Sequence, residues 1–288
     1  MSITPFFRAD LHCHSSCSDG SLEPEALVAM AANRELAGLA ITDHDTFAAY
    51  EAAFPAANLH SIQLITGVEF SSEWQGASLH ILGYGFAMDH PKLLELCERH
   101  TERRWRRNQA MLEKLHHHGF SLDIEELYAQ GAKAVGRPHI ARLLVEKGYV
   151  TDMRLAFLRY LGDRACCYVS LETISSEETI DLLHEAGGVA ILAHPHLLRE
   201  EIELETLLAL PFDGLEAYYG SFSYQKNNQW VEHAKKRGWK LITGGSDYHG
   251  ELKQTNQLGS SWVAEEIFSP LLALSRKNNP LAYLSADG

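Results

Sequence analysis

Arg8-Ala9-Asp10-Leu11-His12-Cys13-His14, followed by Ser18-Asp19-Gly20, is the stretch around which the chain is organised. It reads as a first β-strand, and on a strand residues i and i+2 point to the same face. His12 and His14 are therefore aimed the same way at the strand's end, where two imidazoles can grip one metal ion or two adjacent ones. Asp19 follows after a short polar loop ending in Gly20. Folding that loop back sets a carboxylate beside the two imidazoles. One His-x-His pair in a chain with 16 histidines is a weak signal by itself. What the following strands deliver strengthens it.

Downstream, Pro24 to Ala32 suits a helix start, with proline early and an acid in the first turn. Leu39-Ala40-Ile41-Thr42 reads as a short buried parallel strand that delivers Asp43-His44-Asp45. A helix over 47–57 follows, with Thr46 placed to cap it. The strand Ile62 to Phe70 carries Glu69, and the strand Ala77 to Gly85 carries His80. The alternation predicts a parallel sheet or barrel, whose active site lies at the C-terminal strand ends. From about His90 to Gly162 the pattern turns helical, with an arginine-rich run from Arg99 to Arg107 and the sequence Gly136-Arg137-Pro138-His139. The β-α pattern then returns. Val189 to Ala193 delivers His194-Pro195-His196. Gly214 to Tyr218 is a further strand, and Lys240 to Gly245 delivers Ser246-Asp247-Tyr248-His249. A last helix is expected over 264–275, with 277–288 loosely structured. The expected division is a barrel domain over 1–89 and 163–288, with a helical subdomain, 90–162, inserted as a lid.

The bulk numbers fit such a domain. The chain has 288 residues, 45% of them hydrophobic and 22% charged, as in a soluble globular protein. No apolar run is long enough to span a bilayer, and the first ten residues lack the basic and apolar regions of a signal peptide. The five cysteines show no zinc-finger spacing and read as reduced thiols of a cytoplasmic protein. A net charge of −13 disfavours general nucleic-acid binding. It leaves a phosphate substrate open, because bound divalent cations reverse the local field.

The polar groups at or near predicted strand ends are His12, His14, Asp19, His44, Glu69, His80, His194, Asp247 and His249. A lone catalytic Zn²⁺ needs fewer ligands, so this set suits two or three ions. Mixed nitrogen and oxygen donors without thiolate favour Mn²⁺, Fe²⁺ or Zn²⁺ over Ca²⁺. A cluster of this kind suits phosphate-ester hydrolysis by attack of a metal hydroxide on phosphorus. Arg137 offers a fork for phosphate. His196, two residues past His194, is expected to point into the site as a proton donor, and His139 to add a phosphate contact. The Arg99 to Arg107 helix either touches a longer strand or is a solvated face paired with Glu98 and Glu102.

Asp-Leu-His-Cys-His, Ser-Asp-Gly, Ile-Thr-Asp-His-Asp, Gly-Val-Glu, Leu-His-Ile-Leu-Gly-Tyr, Ala-His-Pro and Gly-Ser-Asp-Tyr-His occur in that order between Phe7 and Gly250. The chain thereby resembles the PHP (polymerase and histidinol phosphatase) family. The resemblance implies an α/β fold, a distorted seven-stranded β/α barrel, with a trinuclear metal site at all nine residues named above. The Gly-Arg-Pro-His insertion and the His-Pro-His signature resemble the stand-alone branch of 3′,5′-nucleoside bisphosphate phosphatases and 5′→3′ exoribonucleases. That likeness implies Mn²⁺, with Zn²⁺ or Fe²⁺ as alternatives, and a nucleotide or short 5′-phosphorylated RNA as substrate, with no membrane or obligate protein partner. It assigns phosphate binding to Arg137, His139 and His196, and catalysis to Asp19, Arg137 and His196. Histidinol phosphate is the competing substrate. An amidohydrolase bridged by a carboxylated lysine is disfavoured, because no lysine lies at a predicted strand end. A metal-stabilised module without activity is disfavoured because no ligand position is lost.

Overall fold

In the computed structural model, residues 7–284 apart from 130, 171, 172 and 254 are described. Seven strands form one sheet whose spatial order follows the sequence: β1 (Ala9–Cys13), β2 (Gly38–Ile41), β3 (Gln63–Trp74), β4 (Ala77–Tyr84), β5 (Val189–Leu192), β6 (Gly214–Tyr219) and β7 (Leu241–Gly245). Every residue of β1 and β2 is buried, as expected of parallel strands covered on both faces. β1, β2 and β3 pair in parallel, and so do β5, β6 and β7.

The two ends of the sheet meet. Just beyond the strand ends, the Asp247 N–H donates to the His12 carbonyl at 2.8 Å, and the His14 N–H to the Tyr248 carbonyl at 2.9 Å. This seam is tight. A Cβ on Gly245 would fall 2.3 Å from the His12 Cβ, so only glycine lets β7 lie against β1 there. The result is a nearly closed barrel.

The middle of the sheet departs from the expected alternation. β3 and β4 are an antiparallel hairpin, and β4 pairs antiparallel with β5. Their turn, Gln75-Gly76, has φ of 50° and 79°. Two positive φ values in a two-residue loop belong to the turn whose twist matches a hairpin. β3 therefore runs past the barrel rim as far as Trp74, well beyond the expected end at Phe70.

Helices α1 (Pro24–Asn33) and α2 (Tyr50–His60) cover the first strands. The long connection from β4 to β5 holds α3 (Pro91–His117), α4 (Ile124–Tyr128), α5 (Arg137–Glu146), α6 (Met153–Ala156) with a π-helical turn over Phe157–Leu161, and α7 (Ser176–Glu185). α3 has an apolar face at both ends. Leu93 and Leu96 join the barrel core with Phe70 and Ile180. Met111, Leu112 and Leu115 build a second core with Ile140, Leu144 and Leu161, which runs on to Cys167. Between the two, the same face buries polar His100, Arg104 and Asn108. Burying such groups is costly unless they meet partners, and this stretch of α3 lies over the strand ends.

After β5 come α8 (Leu204–Leu207), α9 (Tyr224–Lys236) and α10 (Glu265–Asn278). The segment expected to be loose is ordered up to Leu284. α10 extends to Asn278, and α11 (Pro280–Leu284) follows. The Tyr283 hydroxyl donates to the Leu64 carbonyl at 2.7 Å, which ties this end to β3. Residues 285–288 lie outside the described residues. Among the described residues no helix is long and apolar enough to cross a membrane.

Candidate functional site

All nine residues read as ligands converge at one end of the barrel, around the buried carboxylate of Glu69. Its Oε2 lies 3.4 Å from His12 Nε2, 3.2 Å from His14 Nε2 and 3.0 Å from His44 Nδ1. Its Oε1 lies 2.8 Å from His80 Nδ1 and 2.9 Å from His194 Nε2. Asp247 Oδ1 faces His12, His14 and His249 at 3.3 to 3.5 Å. Asp19 Oδ1 reaches His249 Nε2 at 3.4 Å and His14 Nδ1 at 3.6 Å. The loop after β1 folds back as expected, with the Gly20 N–H donating to the Ser15 carbonyl.

His80 sits within β4 rather than at a strand's C-terminal end, opposite Ser71 of β3. An antiparallel strand presents its beginning where its parallel neighbours present their ends, so His80 reaches the same rim. His194 and Asp247 have φ of 24° and 51°. Non-glycine residues at positive φ are strained, and such strain gathers at functional sites.

The donor set fits divalent cations. His12 Nε2, His14 Nε2 and His44 Nδ1 are buried and make no hydrogen bond, although carboxylate oxygens face them at 3.0 to 3.5 Å. Two donors each about 2.1 Å from a shared ion stand roughly 3.0 to 3.4 Å apart, which matches this spacing. Within this site three groups have ligand atoms mutually within 4.8 Å: His14, Asp19, His44 and His249; His12, His14 and Asp247; His44, Glu69 and His80.

The electrostatics agree. Burial alone would raise Glu69, but His80, His44 and His12 outweigh it and hold the carboxyl well below its usual range. Burial likewise opposes ionisation of Asp247, and Lys253, His249 and His12 overcome it. Burial would lower His12, yet Glu216, Glu69 and Asp247 together hold it well above its usual value. Against the same opposition from burial, Asp247 and Glu69 lift His14 to about 9. Without a cation, protons on His12 and His14 balance the ionised carboxylates, while burial pushes His44 down to about 3 and holds His249 below its usual value. A metal replaces those protons.

A further set of residues orients the cluster and was not read from the sequence. Glu216 on β6 accepts from His12 Nδ1 at 2.9 Å and from the His194 N–H at 2.8 Å. With it, every strand sends a side chain to the cluster from itself or the residues just after it. Asp43 accepts from the Ser15 N–H at 2.8 Å and from the Ser15 and Ser18 hydroxyls, shaping the loop that carries Asp19. Asp247 Oδ2 accepts from the Tyr219 hydroxyl and from Lys253. Asp45, next to His44, is clamped by Arg104 of α3 and by the Ser71 N–H. The available signal was position: Asp43 and Asp45 lie within a histidine motif, and Glu216 interrupts an apolar strand.

Above Asp19, His44 and His80 lies a cleft of about 380 Å³, whose wall carries Arg103, Arg104, Arg107, Arg137, Arg199 and Tyr168. Arg137 donates to Asp163 at 2.7 Å, with its guanidinium 5.5 Å from the Tyr168 ring centre. Burial and the neighbouring guanidiniums of Arg104, Arg137 and Arg103 push Arg107 down to about 9, and its Nε makes no hydrogen bond. The arginine run on α3 thus divides. Arg99 and Arg106 pair with Glu178 and Glu102 at the surface, while Arg103, Arg104 and Arg107 face the cleft.

Of the two histidines expected to contact phosphate, His196 packs outside the cleft. The His196 ring stacks on Phe222, with centroids 5.0 Å apart, and packs against Tyr219 and Trp230. It lines a separate cavity with Lys226 and Gln229. The same-face rule fails because β5 ends at Leu192 and residues 195–197 form a 3₁₀ turn. His139 is buried at the first turn of α5, where its Nδ1 accepts the Gly136 N–H at 3.1 Å, and it stands close enough to Ser18 and Asp19 to feel the Asp19 carboxylate.

Comparison with known proteins agrees with this geometry. The model of the PHP domain family matches residues 10–279. A 5′-3′ exoribonuclease of Haemophilus influenzae is 40% identical over 188 residues, covering 65% of this chain and 69% of that enzyme. A 3′,5′-nucleoside bisphosphate phosphatase of Chromobacterium violaceum is 34% identical over 269 residues, covering 91% and 94%. Among solved structures, a Bifidobacterium adolescentis protein assigned to the metal-dependent phosphoesterases superposes with a TM-score of 0.84 at 29% identity, covering 92% of this chain and 96% of that one.

Proposed function

The chain belongs to the PHP domain family and is a metal-dependent phosphoester hydrolase, and from that premise we propose its substrate. It removes the 3′-phosphate of 3′,5′-bisphosphonucleotides, turning adenosine 3′,5′-bisphosphate into AMP and phosphate. It also trims 5′-monophosphorylated RNA from the 5′ end. The observation that carries this reading is the cleft. A wall of guanidiniums stands over a floor of metal-type ligands, which suits a molecule with one phosphate to hold and another to cleave.

His12, His14, Asp19, His44, Glu69, His80, His194, Asp247 and His249 hold two or three divalent ions, Mn²⁺ in our reading. Ions held there would supply a hydroxide nucleophile near neutral pH and neutralise phosphoryl oxygens. The chain's own groups do the rest. Glu216 fixes His12 with its Nδ1 protonated, which leaves Nε2 free for a cation. Arg137 and Arg107 grip the 5′-phosphate, since guanidinium pairs strongly with phosphate and the buried Arg107 Nε–H makes no hydrogen bond. The helical segment 90–162 acts as the lid that holds these arginines over the metals. The five free thiols support a reducing, cytoplasmic setting.

Histidinol phosphate, with a single phosphate, gives the arginine wall nothing further to hold. The test is phosphate release with Mn²⁺ from adenosine 3′,5′-bisphosphate, 3′-AMP, histidinol phosphate and a short 5′-phosphorylated RNA. The bisphosphate or the RNA is expected to lead, and preference for histidinol phosphate overturns the substrate reading. Arg137→Ala should raise KM for the bisphosphate about ten-fold or more, the worth of one charged hydrogen bond, and spare 3′-AMP. An equal effect on both removes Arg137 from 5′-phosphate binding.

A further inference from the structure

The α3–α6 unit carries a second cluster of ligand-type side chains that phosphoester hydrolysis does not use. Cys166 and Cys167 lie beside His118, and one ligand atom from each falls within 4.8 Å of the others. We propose that Cys166, Cys167 and His118 form a separate site for one thiophilic metal cation. This reading stands independently of the substrate assigned above.

Three observations carry it. First, the sulfurs of Cys166 and Cys167 are 3.7 Å apart. Two thiolates bound tetrahedrally to one ion at about 2.3 Å stand roughly 3.8 Å apart, so the dithiol matches that spacing without rearrangement. Second, the frame is fixed on both sides. The Cys167 N–H donates to the Tyr160 carbonyl at 3.0 Å, just where the chain leaves its π-helical turn. Lys114, one turn before His118 on the same face of α3, donates to the Tyr168 carbonyl at 2.7 Å. The helix end bearing His118 is thereby held against the segment bearing the cysteines. Third, one side is open. His118 and Cys166 are exposed while Cys167 is buried, leaving solvent access and a coordination position for water.

The donors select the cation. Two thiolates and one imidazole are soft, so they favour Zn²⁺-like and softer ions over the Mn²⁺ proposed for the thiolate-free cluster at the strand ends. On binding, each thiol gives its proton to solvent as a metal–sulfur bond forms. Loading would also stiffen residues 166–168, and Tyr168 supports Arg137 in the cleft wall.

The test is a Cd²⁺ titration of the full-length, Mn²⁺-saturated enzyme, read by the ultraviolet thiolate-to-cadmium charge-transfer band. The strand-end cluster has no thiolate among its nine ligands and gives no such band. One equivalent should develop in the wild type and in Cys97→Ser, and vanish in Cys166→Ser and Cys167→Ser. His118→Asn should weaken Cd²⁺ binding at least ten-fold. Cys166 is exposed, so Cys166→Ser should keep wild-type turnover with Mn²⁺, which shows that it is folded. Absence of the band in the wild type, its persistence in either serine variant, or unchanged affinity in His118→Asn overturns the proposal.

Discussion

Glu216 shows how one side chain governs a site that it does not itself form. Its carboxylate holds the Nδ1–H of His12 and the backbone N–H of His194, so one residue sets two of the nine candidate ligands. Glu216→Gln keeps the shape but lets the amide present either a donor or an acceptor to His12. Metal affinity is expected to fall ten- to hundred-fold, the usual loss for an orienting group, with the fold intact by circular dichroism. Competition with a chromophoric chelator reads this directly, and unchanged affinity would separate Glu216 from the metals. At this scale the convergence of the candidate ligands was legible because histidine and carboxylate at strand ends carry their chemistry in their identity. Glu216 was less so, since a carboxylate in an apolar strand signals only that it needs a buried partner. His196 misled because an alternation rule was carried two residues past the end of a strand.

Among elements, α3 is joined to the barrel by the contact between Arg104 and Asp45. Asp45 is 1% exposed. Arg104 and His100 outweigh its burial and hold its carboxyl below the usual range. A carboxylate depressed in the folded state stabilises the fold above its ordinary pKa, about 4, and loses that contribution as the pH falls toward the depressed value. Arg104→Met strands the charge and should cost about 3 kcal/mol near neutral pH. In the variant, burial raises Asp45, so it takes up a proton in mild acid and the deficit shrinks. Urea unfolding at neutral and acid pH tests this, and an equal deficit at both would mean that the loss is one of packing alone. The parallel strands and their helices were legible from apolar runs and their punctuation. The hairpin was not, because β3 and β4 read equally well as successive parallel strands, and its one local mark is the Gln75-Gly76 pair. α11 lies within 277–288, expected to be loose, although Pro280 there can open a helix.

Over the whole molecule, a net charge of −13 coexists with a cleft lined by five arginines. Opposite charges are sorted by place: carboxylates beneath, guanidiniums above. The metal-free state keeps several ionised carboxylates and protonated imidazoles buried together, and cations should relieve this. At about a thousand times their dissociation constant, ions that bind only the folded state add about 4 kcal/mol. Chelation should therefore lower Tm by on the order of 8 °C, and Mn²⁺ should restore it. No shift in calorimetry would mean that the cluster is balanced without metal.

The seam between β1 and β7 has a consequence for how the protein comes into being. His12 lies on the first strand and His249 just after the last, yet both serve one centre, and the backbone bonds that close the ring tie His12 to Asp247 and His14 to Tyr248. Early strands can pair while synthesis continues, but a nascent chain halted before Asp247 holds only a broken set of donors. A donor set completed only when the last strand closes the ring makes firm capture of the ions a late step of folding.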